Sequence, residues 1–127
     1  DVVSHHPYAT SRFESPSTKP PARTTVTLAN IGDLIREVHR LYGPTMRIWV
    51  TEYGYQTNPP DRLFGVPWKT QAAYLTKAYA MARANRWIDL LCWFLLEDQR
   101  DAGGWQSGLE TASGTRKPAF AAYRDVP

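Results

Sequence analysis

Cysteine is almost missing: Cys92 is the single one in 127 residues, so no disulfide can form within the chain. It lies in an apolar run and reads as a small buried hydrophobe. Long apolar runs are missing too. Residues 90–96 form the most apolar stretch, far short of the ~20 residues that cross a bilayer. There is no block of basic charge. The 15 Lys and Arg are scattered among 12 Asp and Glu, for a net +3, which argues against nucleic acid and against a membrane surface as partners. Neither GxGxxG nor Gly-Lys-Ser/Thr follows a strand-like segment, which argues against a dinucleotide or nucleotide fold. No GxSxG elbow supports a Ser/His/Asp triad. No His-x-x-x-His occurs. His5 and His6 are neighbours on an extended segment and point to opposite sides, and His39 falls on a helix. Neither a metal nor a cofactor is expected.

What is present is an ordinary globular balance, 43% hydrophobic and 21% charged, with one domain's worth of chain. Aromatics are abundant: five Trp and seven Tyr. Such rings fill cores, and they also serve as platforms for sugar rings. The chain opens at Asp1 directly on a strand-like segment, without an initiator Met or a signal peptide. It reads as a piece cut from something longer.

The pattern along the chain is strand, helix, strand, helix, strand, helix. A first strand spans residues 2–8 and is followed by a long Pro-rich loop over 9–25, of the kind that is functional or disordered in compact domains. A helix over 28–42 places Leu28, Ile31, Leu34, Ile35, Val38 and Leu41 on one face. Gly43-Pro44 stops it. The second strand covers 46–51, and the loop 56–65 carries the turn cluster Asn58-Pro59-Pro60-Asp61. A helix over 67–85 has an inner stripe of Ala72, Leu75, Tyr79 and Ala82. The third strand covers 88–96, a Gly-rich loop covers 101–108, and a short helix over 118–124 ends the closing segment 114–127. This order predicts an α/β fold with parallel strands and right-handed crossovers.

The most informative residue is Glu52. The strand-forming run from Met46 ends abruptly in Glu52-Tyr53-Gly54. A carboxylate at the tip of a buried parallel strand is costly unless it has a task, and strand tips are where barrel enzymes place their chemistry. Strict alternation groups Ile48, Val50 and Glu52 on one side of the second strand and Trp49 and Thr51 on the other. In the first strand Val2, Ser4, His6 and Tyr8 share a side; in the third, Leu91, Trp93 and Leu95 do. If the inward sides match, His6, Tyr8, Glu52 and Trp93 converge at one mouth. A carboxylate nucleophile needs donors that orient it and keep it ionised, and Tyr8 can supply one. Taken alone, Glu52 reads equally well as a structural carboxylate paired with an Arg.

Four pieces then carry a resemblance. His6-Pro7-Tyr8 resembles the His-x-Tyr ending the sixth strand of clan A retaining glycoside hydrolases. Trp49-Val50-Thr51-Glu52-Tyr53-Gly54 resembles their seventh-strand motif with its nucleophilic Glu. Cys92-Trp93-Phe94 with Asp98 resembles the eighth strand. Gly108-Leu109, then Gly114 to Ala119 and Tyr123, resembles the closing segment, and Gln71-Ala72 fits the penultimate helix. The chain is similar to the C-terminal part of such an enzyme, of the family 5 or 39 type. The resemblance implies the last three βα units of a (β/α)8 TIM barrel, extending over residues 1–127. It also implies hydrolysis of β-linked sugars and an extracellular setting. It implies that Glu52 is the nucleophile and that the acid/base, usually a Glu after Asn, lies in absent strands, since no Asn-Glu pair occurs here. The implied partners are a carbohydrate and either the missing N-terminal half-barrel or a second copy. Alone, the chain is expected to be inactive. A non-catalytic carbohydrate-binding or self-associating remnant is the alternative.

The substrate-binding candidates are His6, Tyr8, Tyr53, Trp93, Asp98 and Trp105. His6 would contact a sugar hydroxyl, and Trp93 would stack on the ring unless it is plain core. Tyr53 and Tyr55 would line the mouth, with Trp105 as a rim platform. Glu97, Asp98 and Asp101 form an acidic patch that either binds hydroxyls or solvates a loop. Glu14 reads as a surface residue, and Trp49, Trp68, Trp87 and Phe120 as packing.

Overall fold

The structure is a computed structural model, and it describes residues 1–22 and 24–126. Arg23 of the long loop and Pro127 of the closing segment lie outside the described residues. Strands β1 (Val2–His5), β2 (Arg47–Tyr53) and β3 (Ile88–Trp93) alternate with helices α1 (Ile31–Tyr42), α2 (Trp68–Ala84) and α3 (Pro118–Arg124), and a single 3-10 turn (Leu28–Asn30) leads into α1. The strands pair in parallel in the order β1-β2-β3, with β2 in the middle. Among the described residues no helix is long and apolar enough to cross a membrane.

One face of the sheet is covered by helices. Ile48 and Val50 are fully buried there against Leu28, Ile31, Ile35 and Val38 of the first helical segment and Ala78 of α2. The 3.6-residue period makes that stripe. It fails at Leu41, which the sequence pattern places inward and which is 55% exposed in the last turn, past the edge of the sheet's cover. Helix α1 ends on Gly43, whose φ of 102° suits a residue without Cβ and whose N–H caps the His39 carbonyl. A smaller cluster of Leu75, Leu109 and Ala119 joins α2, the closing loop and α3.

The other face is open. Ser4, Trp49 and Leu90 sit side by side across the three strands, and Trp49 is 40% exposed. Trp49 therefore does not pack between helix and strand as its sequence context suggests; it lies on the uncovered side.

Candidate active site at the strand ends

Alternation along β2 holds for Ile48, Trp49 and Val50 and then breaks. Val50 pairs with Leu91 and Tyr53 with Trp93, so β2 uses three steps where β3 uses two. This is a bulge, which inserts one residue and re-aims the side chains beyond it. Ile48, Val50 and Tyr53 are buried toward the helices, while Thr51 and Glu52 are both part-exposed. Without the bulge Glu52 would have followed Ile48 and Val50 under the helices, so the expected parity is corrected here and the carboxylate reaches the mouth by a different route.

Around Glu52 the chain gathers polar groups from the neighbouring strand end. The Tyr8 hydroxyl donates to Glu52 Oε2 at 3.2 Å, and His6 Nδ1 stands 3.5 Å from the same oxygen. His6 Nε2 is 2.9 Å from the Thr51 hydroxyl, which is 2.6 Å from that of Ser4. A neutral imidazole protonated on Nδ1 can donate to Glu52 and accept from Thr51. The Tyr8 phenol is pushed well above its ordinary range by burial first, then by the charge of Glu52 and the bond to it, so it stays a donor at any working pH. Its ring stacks with Tyr53 at 6.2 Å and with Trp105 at 5.8 Å. Trp105 also meets the edge of Phe94 at 5.4 Å.

Of the candidates, the structure brings His6, Tyr8, Glu52 and Trp105 into one cluster. Three others sit elsewhere. Tyr53 is 1% exposed and lies beneath Tyr8. Its hydroxyl donates to that of Tyr55, which donates to the Glu14 carbonyl, and burial raises both phenols, Tyr55 to about 12. Tyr53 supports the mouth and does not line it. Trp93 packs against both hydrophobic clusters, and its indole N–H donates to the Ser107 carbonyl at 2.9 Å. The regular two-residue step of β3 keeps it on the covered side with Leu91, and Phe94, just past the end of β3, takes the position beside Trp105. Asp98 is buried. Both its oxygens lie 2.7 Å from Lys117 Nζ, and one accepts the Gly108 N–H. Lys117 also donates to the Thr57 hydroxyl. Burial draws the Lys117 ammonium down and Asp98 partly offsets this. Asp98 is therefore committed to Lys117, which in turn reaches Thr57 in the loop after β2, and its side chain is only 2% exposed.

Sequence reasoning missed Thr51, Phe94 and the Asp98–Lys117 pair. Thr51 adjoins Glu52 but belongs to the opposite side under strict alternation. Phe94 carries no signal that separates it from Trp93. Gly54 follows from the geometry: a Cβ there would come 2.7 Å from the Phe94 carbonyl oxygen, so the strand ends approach closely only because position 54 lacks one.

Among known proteins, a family model described as the glycosyl hydrolase catalytic core matches residues 24–123. The chain belongs to that family. No curated protein matches this glycosyl hydrolase core in sequence. Solved structures do match it in fold. A GH128 subgroup I endo-β-1,3-glucanase from Amycolatopsis mediterranei, solved with laminaritriose and laminaribiose, superposes with a TM-score of 0.64 at 19% identity, over 100% of this chain and 45% of that one. A GH2 β-galacturonidase from Eisenbergiella tayi bound to galacturonate superposes with a TM-score of 0.73 at 14% identity, over 98% of this chain and 23% of that one. A Bifidobacterium dentium β-glucuronidase complexed with coumarin-3-O-glucuronide gives 0.61 at 18% identity, over 98% and 20%. At such identities the likeness is one of fold. This glycosyl hydrolase core spans less than half the length of each.

Proposed function

We propose that the chain is the nucleophile-bearing part of a retaining glycosidase, comprising the last three βα units of a (β/α)8 barrel of the clan A type. One observation carries this reading: the Glu52 carboxylate stands at the C-terminal end of the central parallel strand with the Tyr8 hydroxyl 3.2 Å from Oε2. Parallel strand ends are where barrels keep their catalytic groups, and an oriented, ionised carboxylate is what a double displacement needs.

In the first step a Glu52 oxygen would attack the anomeric carbon of a β-linked sugar. The glycosidic C–O bond would break, and the departing oxygen would take a proton from an acid outside this chain. Water would then attack the same carbon, the bond to Glu52 would break, and the deprotonated acid would accept the water's proton. Tyr8 would hold Glu52, His6 would contact a sugar hydroxyl, and Trp105 would border the ring.

The open face fits the same reading. Trp49 and Leu90 are exposed in one row, and both β1 and β3 are edge strands whose unpaired backbone invites another chain. The N-terminal half of a barrel would cover both, in an enzyme secreted to meet polymeric substrate. The test is hydrolysis of aryl β-glycosides by the chain as it stands. No turnover is expected. Robust turnover abolished by Glu52→Gln would mean that a second carboxylate lies within these residues, and the fragment reading would fail.

A further inference from the structure

Beside Tyr8 lies a cleft of about 370 Å³ that neither Glu52 nor any other carboxylate residue lines. Its walls come from three loops: Arg12 from the loop after β1, Gln56 and Phe64 from the loop after β2, and Trp105 from the loop after β3. These walls are fixed. The Asp61 carboxylate accepts the N–H groups of Leu63 and Phe64 at 2.8 and 3.0 Å, which holds the loop tip. Arg12 Nη1 donates to the Arg62 carbonyl at 2.9 Å, and its guanidinium lies 4.9 Å from the Phe13 ring centre. Gln56 Oε1 accepts the Gln106 N–H.

Two features of this cleft point to a ligand. Its aromatic walls are exposed, Phe64 at 64% and Trp105 at 41%, although the loops that carry them are pinned. And it is rich in donors. A guanidinium has five N–H groups, and Arg12 pairs with no carboxylate among the described residues. Nearby Glu14 is bonded to Thr10, and Asp61 to the backbone. With its oxygen engaged, Gln56 offers its amide N–H groups.

We infer that this cleft is a subsite for a sugar ring bearing a carboxylate, with Arg12 as the group that recognises the anion. A planar guanidinium matches a carboxylate in paired hydrogen bonds, and aromatic walls suit the apolar face of a pyranose. The inference rests on the glycosidase reading only for the identity of the ligand as a sugar; the anion preference follows from the cleft itself.

The test is an NMR titration of the isotope-labelled chain with glucuronate and, separately, glucose, following the Trp105 indole and the Arg12 Nε–H. Glucuronate is expected to shift both saturably, at a concentration at least tenfold below that needed for glucose. Arg12→Gln should abolish that preference, so that glucuronate and glucose act over the same concentration range. Arg12→Lys, which keeps the charge but not the fork, should fall between them, with an otherwise superimposable spectrum in both variants. Equal responses to the two sugars, silence to both, or a glucuronate preference that survives Arg12→Gln would each overturn the subsite. Covalent trapping on Glu52 is an independent readout. Trapping without uronate preference removes the subsite and keeps the glycosidase; uronate preference without trapping does the reverse.

Discussion

The Tyr8 hydroxyl meets the Glu52 carboxylate at 3.2 Å across 44 residues of sequence, joining the segment after β1 to the end of β2. A bond to a charged acceptor is worth about 1.5–3 kcal/mol. In the proposed double displacement it would aim one oxygen and leave the other available for attack. In the protein as the cell makes it, Tyr8→Phe should therefore lower kcat/KM on aryl β-glycosides by about one to two powers of ten, with little change in thermal midpoint. An unchanged kcat/KM would separate Tyr8 from the chemistry.

Lys117 and Asp98 form the most deeply buried ion pair described, with side chains 0% and 2% exposed. Replacing one partner leaves the other charged and unsolvated. Lys117→Met should cost about 3–5 kcal/mol in a urea titration. Asp98→Asn with Lys117→Met should cost less than the sum of the two single changes, because the pair acts as a unit. A loss below ~1 kcal/mol for the single change, the value of an exposed pair, would contradict this placement.

Alkaline behaviour follows from the tyrosines. Tyr8, Tyr53 and Tyr79 are held above their ordinary range, mainly by burial, and Tyr55 is pushed to about 12. Above the unfolded value of about 10 the unfolded chain releases these protons while the folded chain keeps them. The stabilisation is therefore fully present below pH ~10 and lost as pH rises beyond it. Of the seven tyrosines, these four should gain phenolate absorbance at 295 nm only together with loss of far-ultraviolet circular dichroism. Reversible ionisation of all seven near pH 10 with the fold intact would contradict it.

The helices and the strand order were legible because each rests on a repeated local signal. The stripe Leu28, Ile31, Ile35, Val38 and the stop at Gly43 identify α1, and α3 begins and ends where Pro118 and Arg124 place it. Glu52 was legible as the abrupt end of a strand-forming run. Its surroundings were only partly so. The bulge between Val50 and Tyr53 is a property of how two strands pair, and nothing within β2 alone announces it. Past that point alternation along β2 slips by one residue, which brings Glu52 out from under the helices and sends Tyr53 below the mouth, whereas Trp93 keeps the side of Leu91, the one the helices cover. Asp98 failed for another reason: its partner Lys117 lies 19 residues away, and a pair formed between loops leaves no periodic trace.

The most direct measurement is covalent trapping. A 2-deoxy-2-fluoro β-glycoside with a dinitrophenolate leaving group needs no acid to depart, and the fluorine slows hydrolysis of the glycosyl-enzyme. The protein as the cell makes it should be treated with this reagent, digested and mapped by mass spectrometry. One fluoroglycosyl group on the peptide containing Glu52, absent from Glu52→Gln, is the expected result. A label on another carboxylate, or one retained in Glu52→Gln, would show that this side chain is not the nucleophile.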